Sequence, residues 1–244
     1  REVRSEPFLF RSKPLPAAWR VRPAILPARY GFGGENRAVL LFLDWDGDLA
    51  AAVPARSGST EIARIVKLPD ASGKPIRLCG VRGHWGRAKL AVSDWDGDGV
   101  PDLITGDASG YLIFWPGTAD PLVYGAPVHL RENGCIVHHQ AGPSGSIQGY
   151  HEKRWGYLQP TIGDWDGDGR WDILAGSPNG CNAFIMGRKI PTKATVFFLR
   201  NTGSNAAPVF ERPEPLAGAD GALLNFGVHN ATPCPADLDG DGRP

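Results

Sequence analysis

Short apolar runs bounded by turn residues punctuate the chain: AVLLFLD at 38–44, KLAVSD at 89–94, YLIFW at 111–115 and ATVFFL at 194–199. They are rich in β-branched and aromatic residues, the pattern of many short strands. No stretch of a dozen residues has the periodicity of an amphipathic helix, and no apolar run reaches the eighteen or so residues that span a bilayer as a helix. With 32 glycines and 22 prolines among 244 residues, helices would be interrupted often. The predicted class is all-β.

The pattern repeats. FLDWDGDLAAAV from Phe42, VSDWDGDGVPDLITG from Val92, IGDWDGDGRWDILAG from Ile162 and PADLDGDGRP from Pro235 align, with first aspartates Asp44, Asp94, Asp164 and Asp237. An aromatic-Gly pair precedes each acidic loop: Phe32-Gly33, Trp85-Gly86, Trp155-Gly156 and Phe226-Gly227. A strand precedes the loop, and in the second and third copies a strand ending in glycine follows it, DLITG and DILAG. Each unit holds about four short strands, enough for one propeller blade, and such a unit buries both faces of its sheet only by stacking on its neighbours. The expected architecture is a β-propeller of four-stranded blades with Asp-rich loops. Residues 1–29 form an N-terminal segment that could belong to a preceding blade. Residues 30–244 carry the repeats, with loops at 44–52, 94–102, 164–172 and 237–244. The last loop reaches Pro244 one residue before its ninth position, and the chain begins at Arg1 with no signal-peptide pattern. We therefore expect an incomplete propeller, part of a longer parent chain.

The loops suggest a metal. Asp94, Asp96 and Asp98 alternate and are followed by Gly99 and Asp102. Alternate carboxylates in a tight turn converge on one point and repel unless a cation lies among them. Oxygen-only donors in a flexible loop favour Ca²⁺ over Mg²⁺ or a transition metal. The expected ligands are Asp94, Asp96, Asp98, Asp102 and the Val100 carbonyl; then Asp164, Asp166, Asp168, Asp172 and the Arg170 carbonyl. In the fourth copy they are Asp237, Asp239, Asp241 and the Arg243 carbonyl. The first copy (Asp44, Asp46, Asp48) has Leu49 in place of the loop glycine and Ala52 in place of the last aspartate, which predicts a weak or empty site. An EF-hand is excluded because Thr105 and Ala175 stand where its bidentate glutamate belongs and strands replace the flanking helices. A WD-type repeat is excluded because Trp-Asp lies inside the acidic loop without a Gly-His partner.

The pattern of an aromatic-Gly pair followed by DxDGDGxxD, two aliphatic residues and a glycine resembles the FG-GAP/VCBS repeat family, the calcium-loop propellers similar to the integrin α head. NTGSNAAPVFERPEPL at 201–216 also resembles the interblade stretch of VCBS-type proteins. The resemblance covers nearly all of 30–244. It implies calcium sites that act as structural pins, strongest in the second and third copies, a bacterial source and a secreted or surface location, because extracellular calcium loops are weak (Kd about 10⁻⁴–10⁻³ M) and fill only where calcium is plentiful.

Charge changes the picture once the loops are set aside. The chain has no formal net charge, with 26 basic and 26 acidic residues, but fourteen of its eighteen aspartates lie in the four loops. Twelve acidic residues remain against 26 basic ones, so a surface whose loops are neutralised favours polyanions such as acidic polysaccharides. No nucleic-acid-reading motif is present, and nucleic acid is not an expected partner. The expected function is a ligand-binding or interaction module. The alternative is a propeller-type polysaccharide lyase acting on uronate-containing glycans, which needs a positive charge on the uronate and a His or Tyr base. The insertion at 131–157 offers His138, His139, Tyr150, His151, Arg154 and Tyr157 as candidates. Few acids remain for a paired-carboxylate hydrolase, and there is neither a phosphate-cradling Gly loop nor a GxSxG elbow. Cys79, Cys135, Cys181 and Cys234 form no CxxC pair, and all three disulfide pairings stay open.

Overall fold

The computed structural model describes residues 5–18, 21–32, 37–78, 88–107, 110–139, 158–176, 184–185, 188–189, 194–226 and 231–236. Among them the fold is all-β, with one 3-10 turn (Ala28–Tyr30) and no α-helix. No helix is long and apolar enough to cross a membrane.

Three sheets follow one another along the chain. The first contains β1 (Leu9–Phe10), β2 (Lys13–Pro14), β3 (Ala24–Leu26), β4 (Val39–Leu43), β5 (Leu49–Pro54) and β6 (Glu61–Lys67), in the order β2-β1-β6-β5-β4-β3. The second contains β7 (Lys89–Ser93), β8 (Asp102–Gly106), β9 (Leu112–Trp115) and β10 (Val128–His129), in the order β10-β9-β8-β7. A small hairpin, β11 (Arg131–Glu132) and β12 (Cys135–Ile136), comes next. The third sheet has the order β13-β14-β17-β18, from β13 (Gln159–Gly163), β14 (Asp172–Gly176), β17 (Val196–Leu199) and β18 (Glu214–Pro215). The pair β15 (Phe184–Ile185) and β16 (Arg188–Lys189) lies between β14 and β17. Among the described residues the sheets do not close into a ring.

The period-2 alternation of strands explains how the sheets stack. Along β8, Leu103 joins an apolar layer shared with Leu41, Leu43, Leu49 and Val53 of the first sheet. Its neighbour Ile104 faces the other way, into a layer shared with Ile173, Phe197 and Leu199 of the third. Leu174 of β14 then points onward, to a cluster with Val196, Phe198 and Ala231. The second sheet is thus buried between the first and the third, as stacked repeats require, while the outer face of the first is covered by its own Phe10, Leu15 and Ile62.

In the second and third sheets the second strand ends in a glycine that docks the residues following. A Cβ built on Gly106 would overlap the carbonyl oxygen of Leu158 and meet Pro160 Cδ at 3.0 Å. Built on Gly176, it would overlap the carbonyl of Ala231 and meet Pro233 Cδ at 2.8 Å. Residues 231–233 therefore sit on the third sheet as 158–160 sit on the second. Arg22 crosses these joints as well, donating from Nη1 to the Pro160 carbonyl (3.2 Å) and to Thr161 Oγ1 (3.1 Å).

Candidate metal centre

Three acidic turns connect β4 to β5, β7 to β8 and β13 to β14. In each, three aspartates bring one carboxylate oxygen apiece within 4.8 Å of one another: Asp44, Asp46 and Asp48; Asp94, Asp96 and Asp102; Asp164, Asp166 and Asp172. Every triad has one half-buried, one exposed and one buried member. Asp98 and Asp168 stand outside these triads. Asp98 Oδ1 accepts from the Val100 N–H at 2.7 Å, and Asp168 Oδ1 accepts from the Arg170 N–H at 2.9 Å. Val100 and Arg170 themselves are half-buried at the end of the turn. Asp237, Asp239, Asp241 and Arg243 lie outside the described residues.

The second and third turns are built alike. Ser93 pairs with Asp102 and Gly163 with Asp172, which leaves 94–101 and 164–171 as the turn segments. Asp102 accepts two backbone N–H bonds, from Trp95 (2.8 Å) and from Gly117 at the end of β9 (2.7 Å). Asp172 does the same with Trp165 (3.0 Å) and Asn201 (2.9 Å). The first aspartate organises the turn: Asp94 accepts from the Gly99 N–H (3.1 Å), and Asp164 from the N–H groups of Gly167 (2.8 Å), Asp168 (3.0 Å) and Gly169 (2.9 Å). Gly99 and Gly169 have φ of 87° and 85°, a region that residues with a Cβ rarely adopt.

The electrostatics of these two turns are unbalanced. Burial pushes the Asp102 and Asp172 carboxyls above the usual range; the N–H donors oppose the rise, and the neighbouring aspartates add to it. Among the described residues no ammonium or guanidinium pairs with the second triad. Asp94 Oδ1 is buried without a hydrogen-bond partner. Burial and then the Asp102 charge push the Tyr124 hydroxyl up. Buried polar atoms are rarely left unpartnered, and converging oxygen donors with an orphaned lone pair fit a hard divalent cation. The third turn carries partial compensation, because Arg170 pairs with Asp168, and Arg200 Nε stands 3.2 Å from Asp166 Oδ2.

The first turn is different. Leu43 pairs with Leu49, so only residues 44–48 form the turn. Leu49, not Ala52, takes the strand register of Asp102 and Asp172; Ala52 pairs with Leu40, well along the strand. The sequence alignment without a gap misplaces this turn by three residues. Pro69 stands at the register of Gly117 and Asn201 and has no N–H to offer. Asp48 supplies the buried carboxylate instead. Lys67 Nζ lies 3.1 Å from Asp44, 3.5 Å from Asp46 and 2.7 Å from Asp48, and Arg77 Nε donates to Asp48 at 2.7 Å. Hydrogen bonds from Arg77, then Lys67, hold Asp48 below the usual carboxylate range, while those to Asp48 and then Asp44 hold the lysine above its own.

The tryptophans follow the turns. Trp95 is 1% exposed and lies between Phe114 and Phe210, with ring centroids at 6.4 and 6.1 Å. Trp165 packs against the cluster of Leu174 and Phe198. Trp45, on the shortened turn, is 69% exposed.

The insertion offers no assembled catalytic group among the described residues. His139 is enclosed: its Nε2 lies 3.1 and 3.0 Å from the two Glu132 oxygens, and its ring meets Phe197 edge-on. His138 is exposed and stacks on Tyr111 with centroids 4.1 Å apart. Tyr150, His151, Arg154 and Tyr157 lie outside the described residues, as do Cys79 and Cys181. Cys135 and Cys234 are free and exposed.

Comparison with known proteins adds one relative. The chain is 31% identical over 140 residues to integrin alpha-PS2 of Drosophila melanogaster. The match covers 55% of this chain and 10% of the integrin subunit, so the chain corresponds to about a tenth of that relative's length. No family model and no solved structure matches.

Proposed function

We propose that the chain is a calcium-binding β-propeller segment of the FG-GAP/VCBS type, part of a longer secreted or surface protein, that serves as an interaction module. The observation that carries this reading is the matched pair of carboxylate triads, Asp94/Asp96/Asp102 and Asp164/Asp166/Asp172, at the same register of two consecutive four-stranded sheets. A solvated turn without metal accounts for one such copy but not for two that repeat the same N–H cradle. Calcium there neutralises the turn and locks β7 to β8 and β13 to β14, while Asp102 and Asp172 tie each turn to the third strand of its sheet. The identity with an integrin α subunit agrees with an extracellular interaction module. The excess of basic residues outside the loops favours an anionic partner, such as an acidic polysaccharide or an acidic protein surface.

Calorimetric titration of calcium into the chelator-treated chain tests the reading. Wild type takes up calcium in the millimolar range or tighter, and Asp102→Asn and Asp172→Asn each bind one ion fewer. A wild type that takes up none, or two asparagine variants with wild-type stoichiometry, would sink it.

A further inference from the structure

The first acidic turn has its own cation. The registers Ala50↔Lys67, Leu103↔Trp115 and Ile173↔Leu199 place Lys67, Trp115 and Leu199 at one equivalent position of the three sheets. In the second and third sheets that position is apolar and buried. In the first it is a lysine whose ammonium reaches back over the turn and meets all three carboxylates of the triad within 3.5 Å. No other described turn has one positive group in contact with its whole triad. Three further changes accompany the lysine: Leu49 at the register of the buried aspartate, Pro69 at the register of its N–H donor, and a turn of five residues in place of eight. Each sets this turn apart from the other two, yet its three carboxylates still converge, and the negative charge they gather is met by a tethered ammonium.

From these registers we infer that Lys67 replaces the divalent ion in the first turn, so that this unit is held together without metal while its neighbours depend on it. The inference rests on the calcium reading of the other two turns, and it goes further in assigning Lys67 a role that no acidic motif reveals. The ammonium is covalently attached, so the first hairpin keeps its neutralising charge when free calcium falls. Arg77 reinforces it by occupying Asp48 Oδ1, which leaves Oδ2 to the lysine. The molecule is therefore graded: a metal-independent first turn, a second turn with no basic partner among the described residues, and a third whose outer carboxylates are shared with Arg170 and Arg200.

Lys67→Met tests this against Lys67→Arg, with bound calcium counted by equilibrium dialysis and amide exchange followed across residues 39–54. Lys67→Met should bind one calcium more than wild type. In EGTA its 39–54 amides should exchange at least about tenfold faster than wild type, and calcium should restore them. Lys67→Arg should keep wild-type stoichiometry. If Lys67→Met fails to fold in EGTA, recovery of its β-sheet circular dichroism on adding calcium supports the inference, and no recovery overturns it. Wild-type stoichiometry in Lys67→Met, with 39–54 unchanged in EGTA or loosened beyond rescue by calcium, also overturns it. The two readings fail separately: a wild type that takes up no calcium defeats the calcium sites of the second and third turns, whereas an unaltered Lys67→Met defeats only the role of the lysine.

Discussion

In the first sheet the chain reverses within residues 44–48; in the second it takes 94–101 to do so. The longer turn needs a second glycine at positive φ, Gly99, and there the first sheet has Leu49. A leucine in that conformation would be strained, so strand pairing resumes at once. Everything else follows from the lost residues. Asp48 replaces Asp102 as the buried carboxylate, Trp45 points to solvent where Trp95 is enclosed, and side-chain cations meet the triad, where among the described residues the second turn has none. One repeated motif thus serves as a closed ion pair in one place and as an open oxygen cage in another. What separates them is what stands across the sheet, not how many aspartates the turn contains.

The largest test of this contrast is in the tryptophans. Trp95→Ala empties a site between two sheets and should cost about 3–5 kcal/mol in urea unfolding, whereas Trp45→Ala should stay within about 0.5 kcal/mol. Equal costs would mean that the two turns sit in the same environment. Next comes the joint between units. Gly106→Ala places a methyl group on the Leu158 carbonyl and should lower stability by about 1–3 kcal/mol or more. A wild-type urea midpoint would show that the second and third units do not dock through this contact.

Smallest in size, at about 1 kcal/mol or less, is a difference in pH response in EGTA. Burial raises the folded-state values of Asp102 and Asp172, so the protonated form is favoured by folding; stability is greatest below the unfolded value and is lost as pH rises through the folded one. Asp48 is depressed, so its contribution is present above the unfolded value of about 4 and is lost as pH falls through the lower folded one. Corrected for intrinsic rates, exchange across 89–106 should slow as pH drops toward the unfolded value of about 4. Across 39–54 it should hold steady there and quicken only below about pH 4. Slopes of the same sign in both hairpins would contradict the assignment.

Much of this was legible from residue order, and some was not. The runs KLAVSD, YLIFW and ATVFFL mark β7, β9 and β17, and the glycine endings of DLITG and DILAG mark β8 and β14, because local alternation and turn residues encode strands directly. The pair β1–β2 was invisible, since β1 joins the first sheet by parallel pairing with β6, about fifty residues away, and short strands leave little periodic signal. The DxDGDG spacing locates the acidic turns, and within them Asp98 and Asp168 each also accept a backbone N–H of their own turn, from Val100 and Arg170. A three-residue deletion looked like a substitution at Ala52, because only strand register separates the two. Lys67, Arg77 and Gly117 carry no motif at all, and the stretch that opens at Asn201 resembles an interblade segment without marking that residue as a donor to the turn. They reach the turns across hydrogen-bonded strands or between loops, and nothing in their immediate sequence announces it.

Hydrogen exchange of the whole chain in calcium and in EGTA, resolved by hairpin, measures the contrast most directly. With calcium at roughly ten to a hundred times Kd, residues 89–106 and 159–176 should exchange about 10–100-fold more slowly than in EGTA, while residues 39–54 should exchange alike in both. Calcium protection of all three hairpins to the same degree, or of none, would contradict the account.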